Sequence, residues 1–402
     1  MKVCGLSQIM NKILNYLDFK SIDVSVRYLS ISAFFTGVGL GYFFTLIVIL
    51  LKHNNYSEST IGIIAAFFSF GLMSAGFVVS RVLDKFGLYQ TMLYSLSIQT
   101  LMMIAMFIFF SPIIMALGHL VMGILGGIMW MTMDTWVNIV SNNKNRGKAI
   151  AFYNLSITFG FAMGPLLISL FGTKGIIPII LAITLMLIRT PVVIFIKNYI
   201  NSVKIPKKDK ALNFSLLKVA PFIFLAIFVS GIDDSSFAVL FPAYMINFDF
   251  TDRFIGFLLF FSLILGILSQ PFVGALTDKM NKRKLIFILL LFHCIWPFLL
   301  HNYYNTIIIL LISVTIWGVA STSLYTVALA YLGERYKPKE LVLATSVFII
   351  VYEAGEFFGP AFVGYMMDIF GNSGFIFSIF IFTITIFIIG MLRSYYFFKN
   401  LK

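Results

Sequence analysis

Apolar runs of about 20 residues, each long enough to cross hydrocarbon as a helix, recur along this chain from Tyr28 to Phe398. They exclude a water-soluble globule: only 11% of the 402 residues are charged, against roughly 25% in soluble domains. Runs such as Leu285 to Leu300 have no two-residue alternation, which excludes a membrane β-barrel as well. The chain reads as an all-α integral membrane protein. Cys4 in the N-terminal tail and Cys294 inside an apolar run form no disulfide framework, and neither a metal site nor a cofactor is expected.

Charged and turn-rich punctuation divides the chain into twelve spans, beginning near Tyr28, Ile61, Thr91, Pro112, Lys148, Gly175, Leu217, Phe254, Arg283, Asn305, Leu341 and Gly374. Both termini then share one side. Of the 29 Lys/Arg, only Lys52, Lys174 and Arg253 fall on the other side and Arg189 within a span, which leaves 25 on the side of the termini. By the positive-inside rule that side is cytoplasmic. The formal charge of +13 is thus a topology signal plus attraction to anionic lipid, with no soluble basic domain for nucleic acid. No signal cleavage is expected, and Met10, Ile13, Leu14 and Leu17 suggest a short interfacial helix in the cytoplasmic tail, residues 1–27. A six-helix half, 28–197, precedes a polar linker, 198–216, containing Pro206, Lys207, Lys208, Asp209 and Lys210, and a second half covers 217–402.

The halves superimpose from the letters alone. Ser80 to Gln90 reads SRVLDKFGLYQ and Gly274 to Lys284 reads GALTDKMNKRK, placing Asp84 and Asp278 194 residues apart. Gly160, Gly164 and Pro165 return 195 residues later as Gly355, Gly359 and Pro360. Two motif pairs with nearly one offset imply a six-span unit duplicated in parallel, an arrangement used for alternating access around a midplane site.

With these motifs the chain resembles the major facilitator superfamily over Tyr28 to Lys402. Gly274, Asp278, Lys279, Lys282 and Arg283 match its cytoplasmic loop motif, with Asn281 in place of the second glycine. The first copy keeps Asp84, Lys85 and Gly87, but has Ser80 for the leading glycine and ends in Leu88, Tyr89 and Gln90. Asp134, Trp136, Asn138, Arg146 and Gly147, with Ser269 to Asp278 and Gly359 to Gly371, resemble the bacterial YcaD-like branch, whose members are mostly transporters of unestablished substrate. The resemblance implies a cytoplasmic gate in which Asp84 faces the start of span eleven near Leu341 and Asp278 the start of span five near Lys148, with Lys85, Lys279 and Arg283 pairing with acids or lipid phosphates. Gly160, Gly164, Pro165, Gly355, Gly359 and Pro360 are expected to let helices pack closely and bend.

Charged residues inside spans cost at least about 2.5 to 3.5 kcal/mol each at the membrane centre and are functional candidates by default. Asp134 approaches the cytoplasmic face, where it is expected to cap or to pair with Arg146, and Arg189 is expected to snorkel to the inner surface. Asp233 and Asp234 fall opposite Gly39 and Leu40 of the repeat, on a span that lines the cavity in this fold, and at most one can aim straight into it. Glu353 and Glu356 lie one turn apart at the centre of span eleven, where related sequences place small or uncharged residues. Two carboxylates so close cannot both ionise cheaply, which is the condition a proton-coupling site needs. His119 stands where drug antiporters of the superfamily carry an arginine; it is a packing residue or a proton relay. Trp317, with Tyr325 nearby, suggests an aromatic wall for a substrate, and Trp136 and Trp296 read as interface anchors.

The resulting expectation is a monomeric secondary transporter that moves a small organic solute with protons by alternating access. Efflux of amphipathic or cationic compounds, or a non-transporting sensor or scaffold, are the alternatives. No nucleotide-binding loop appears, and no catalytic constellation points to an enzyme.

Overall fold

Polar residues at the edges of the apolar runs cap the helices those runs form. A computed structural model describes residues 22–141, 146–197 and 214–399; the expected interfacial helix and most of the linker lie outside these. Asp23 accepts from the Ser25 N–H at 2.8 Å, and Ser57, Ser111 and Thr251 do the same for Thr60, Ile114 and Phe254. Each satisfies a donor that a first helical turn leaves without an internal partner.

Among the described residues, eleven helices are long and apolar enough to cross a membrane. Span one is Val24–His53, span four Pro112–Val140 and span five Arg146–Phe171. Span six is Ile177–Leu187 continued by Arg189–Ile196. Spans seven to twelve are Pro221–Ile246, Asp252–Lys279, Lys282–Tyr303, Ile307–Arg335, Pro338–Phe370 and Asn372–Lys399. Glu58–Ile108 has 51 residues, roughly 76 Å at 1.5 Å per residue and more than twice the hydrocarbon thickness. It breaks at Gly87, φ 69° and ψ 175°, and so contains spans two and three joined end to end.

The same repeat position is handled differently in the second half. Asn281, 194 residues after Gly87, has φ −63° and accepts from the Lys284 N–H at 3.2 Å. An asparagine that caps the next helix thus replaces a left-handed glycine, and spans eight and nine separate cleanly.

Close backbone approaches follow the repeat. A Cβ on Gly160 would lie 2.1 Å from the Phe34 carbonyl oxygen, and one on Gly355 2.2 Å from that of Phe228, so span five lies on span one as span eleven lies on span seven. Across the halves, a Cβ on Gly62 would meet the Pro360 oxygen at 2.0 Å and one on Gly256 the Pro165 oxygen at 2.6 Å. Spans two and eleven, and five and eight, are therefore the lateral seams, while spans one and seven run side by side at the centre.

One apolar core is shared by both halves and joins Tyr42, Phe43 and Leu46 to Phe237, Phe241 and Leu300. Toward the Asp84 and Asp278 loops each half keeps a core of its own, around Leu83, Leu88 and Trp136 in the first and Ile223, Leu285 and Leu332 in the second. The molecule is thus closed at one end and split at the basic end. Phe77, Ile113 and Phe272 stand outward, each over 70% exposed, as a lipid-facing surface requires.

Polar contacts reinforce the closed end. Asp368 accepts from the Glu58 and Ser59 N–H groups at 3.0 and 3.2 Å, and Asn247 donates to Glu58 at 2.9 Å. Asp252 takes His53 at 2.8 Å and the Thr173 hydroxyl. Glu58 and Asp252 are 194 residues apart, Thr173 and Asp368 195; one clasp is built twice.

Several expectations change. Trp136 and Trp296 are fully buried in the cores rather than at interfaces. Asp84, Lys85, Asp278 and Lys279 are exposed, and neither aspartate has a hydrogen bond or ion pair among the described residues. Arg283 stays within its own half, over the Phe222 ring and donating to the Gly390 carbonyl at 3.3 Å. These groups face an open end, so they close nothing in this state.

Candidate functional site

Between the halves lies a cavity of about 450 Å³. Its walls come from spans one to six on one side and seven, eight, ten and eleven on the other, with Phe44, Phe68, Phe161, Phe237 and Trp317 as their aromatic part. Trp317 stacks on Phe237 with ring centroids 3.5 Å apart. Such a site buries a flat apolar body and orients it by a few polar groups.

Two sets of charged residues reach the lining. Glu353 and Glu356 project from span eleven, their carboxyls beside one another. Arg189 projects from span six and is 1% exposed. It does not snorkel: its two terminal nitrogens donate to the thioethers of Met186 and Met129, each at 3.1 Å. The break between the two helices of span six, at Ile188, directs it inward.

Asp233 and Asp234 do not line the cavity. Asp233 binds the ring of His293, Oδ2 to Nδ1 at 2.5 Å, with both side chains 1% exposed. Asp234 accepts from the Tyr352 hydroxyl at 2.9 Å and from Ser230 at 3.3 Å. Tyr352 lines the cavity next to Glu353 and also neighbours Glu356, while Tyr325 meets its ring edge-on at 5.2 Å. A string of polar groups therefore runs from Glu353 and Glu356 through Tyr352 to Asp234, and on to the Asp233–His293 pair, Asp234 and Asp233 being chain neighbours with no hydrogen bond between them; all of it lies inside the second half.

The other candidates are set apart from this string. His119 is bound to the Met115 carbonyl at 2.8 Å and flanked by Phe43 and Phe44. Asp134 lies against Trp130 and Tyr153, and no Asp134–Arg146 pair exists among the described residues; Arg146 is exposed at the start of span five.

Sequence reasoning missed His293, a single polar residue in an apolar run. A signal was available: 194 residues earlier stands Gln99, likewise buried, bound to the Met122 carbonyl at 3.3 Å and lining the cavity. Comparing polar residues at repeat-related positions would have flagged both.

The profile of the Major Facilitator Superfamily matches residues 29–221 and 223–401. Among curated proteins, the uncharacterized MFS-type transporter YfkF of Bacillus subtilis (strain 168) is 23% identical over 84% of this chain and 87% of its own length. The uncharacterized MFS-type transporter YcaD of Escherichia coli is 24% identical over 63% of this chain, which spans 65% of that relative. The solved nucleoside transporter NupG superimposes with a TM-score of 0.76 at 13% identity, covering 92% of this chain and 99% of its own. A D-xylose–proton symporter gives 0.70 at 14%, covering 91% and 96%. This chain belongs to the major facilitator superfamily.

Proposed function

We propose that this member of the superfamily is a proton-coupled secondary transporter that carries a small organic solute by alternating access. The observation that carries the proposal is the polar string from Glu353 and Glu356 to the His293–Asp233 pair. Two carboxyls side by side at a cavity wall resist double ionisation. Titratable groups continue inward from them, Tyr352 bonded to Asp234 and the neighbouring Asp233 bonded to His293, and Tyr325 stands against Tyr352. Proton occupancy at the wall then depends on whether the cavity opens to one side of the membrane or the other.

In this reading the closed end faces away from the cytoplasm, the structure is the inward-open state, and both termini are cytoplasmic in a bacterial inner membrane. The halves, 28–197 and 217–402, rock about the cavity while the linker of 198–216 stays in the cytoplasm, and the monomer is the working unit. Reporter fusions after Ser202 and Lys402 give cytoplasmic signals and one near Asn302 an external signal; an external signal at Lys402 overturns the topology.

The coupling test uses purified protein in liposomes, offered a labelled panel of nucleosides, sugars, aromatic carboxylates and amines with and without a pH gradient. At least one solute accumulates under the gradient. Glu353→Gln or Glu356→Gln abolishes accumulation but keeps exchange, because exchange needs no net proton release. Normal gradient-driven accumulation by both variants overturns the proton role of the pair. Failure to move any solute in either condition favours the sensor or scaffold alternative.

A further inference from the structure

We infer that Arg189 is the binding site for the anionic group of the transported solute, and that the solute is an organic anion with an apolar, aromatic-sized body. The inference rests on the cavity being the solute site. A guanidinium carries five N–H donors in a planar fork that fits a carboxylate or a phosphoryl group bidentately. In this protein the group is 1% exposed, and its terminal nitrogens donate to the Met186 and Met129 sulfurs, which are weak acceptors. Its Nε is buried and has no partner among the described residues. Among the described residues no carboxylate lies within ion-pair distance of it; Asp134, five residues beyond Met129, faces Trp130 and Tyr153 instead.

An enclosed arginine in a membrane bundle ordinarily pairs with an acid, a backbone carbonyl or water. Here the space in front of it is the cavity. A structural role is served better by a neutral side chain, since two thioethers do not compensate the loss of hydration. What remains is a donor set prepared for an acceptor that arrives with the solute. Gln99, whose buried Oε1 also lacks a donor, adds a second polar group in the same lining. The aromatic walls, Phe44, Phe68 and Phe161 from the Arg189 half and Phe237 with Trp317 from the other, supply the surface for a flat apolar body. Glu353 and Glu356 enter from the opposite half, so anion and proton sites sit on separate rocking units.

The test is calorimetric titration of the full-length protein in detergent, without any gradient, with phenylbutyrate, phenylbutanamide and phenylbutylamine. The parent binds the carboxylate about tenfold more tightly than the amide or the amine, the size of one charge-assisted hydrogen bond. Arg189→Gln reduces the carboxylate to the level of the amide, while Arg189→Lys, which keeps the charge but loses the fork, retains part of the preference. The inference is overturned if the parent binds the amide or the amine as tightly as the carboxylate, if it binds no carboxylate at millimolar concentration, or if Arg189→Gln keeps the full preference. Should Arg189→Gln not fold, the parent ranking and the lysine variant decide. A failure of proton coupling leaves this ranking standing, and loss of the ranking leaves gradient-driven accumulation of other solutes standing.

Discussion

His293 and Asp233 show what burial does to a polar pair in this bundle. Each is 1% exposed, and the two are paired through a 2.5 Å contact between Asp233 Oδ2 and His293 Nδ1. Removing one partner strands the other where water cannot reach it, and breaking a buried pair of this kind costs about 3–5 kcal/mol. His293→Ala should therefore lower the melting temperature of the purified protein sharply. His293→Gln, which can still donate to Asp233, should recover much of the loss. Equal melting temperatures for the alanine variant and the parent would show that the pair is not held together in the folded protein. His119 offers the contrast: its partner is the Met115 carbonyl on its own helix, so replacing it costs packing and no stranded charge.

Among the elements, the glycines mark where helices must touch, and they are not equivalent. Gly62 and Gly256 have neighbouring-half carbonyl oxygens 2.0 and 2.6 Å from an added Cβ, whereas Gly274 has nothing within 4 Å. Gly62→Val or Gly256→Val pries spans two and eleven, or five and eight, apart at the closed end, because overpacking a backbone contact leaves no side chain to move. Cysteine labelling from that side should rise in both variants and stay at the parental level in Gly274→Ala. Gly87 is constrained by conformation instead of contact: its φ of 69° costs a substituted residue about 1–2 kcal/mol. The glycine pattern itself was legible, since spacing along one helix is a property of the letters. Which helix each glycine meets was not, because an approach between spans two and eleven joins residues nearly 300 positions apart in the chain.

For the whole molecule, we propose that the balance between open and closed ends is set by two groups of charges acting at opposite poles. Asp368 holds the first turn of span two through two backbone N–H groups, a cap of about 1 kcal/mol with further attraction to the helix dipole. Asp278 is exposed in the same state, and in this proposal it meets a helix end when the basic end closes. Asp368→Ala should shift the population toward forms open at the clasp, raising cysteine accessibility there several-fold. Asp278→Asn should shift it the other way, raising accessibility at the basic end. If both variants move accessibility in the same direction, the two ends are not alternatives of one equilibrium.

Much of this architecture belongs to the sequence alone. Apolar run length sets the spans, because hydrocarbon thickness admits little else. The offsets of 194 and 195 residues set the duplication, and the same offsets relate Gly62 to Gly256 and Glu58 to Asp252. Azimuth was decided only by the tertiary structure. A helix repeats every 3.6 residues whichever way it is turned, and in an apolar chain nearly every face can be buried or can meet lipid, so periodicity does not say where Arg189, Asp233 or Trp136 points. The packing of two six-helix units rotated Asp233 toward His293, brought Arg189 to the cavity and drew Trp136 into a core. It also chose which end is closed, since both clasps form only when the two halves meet.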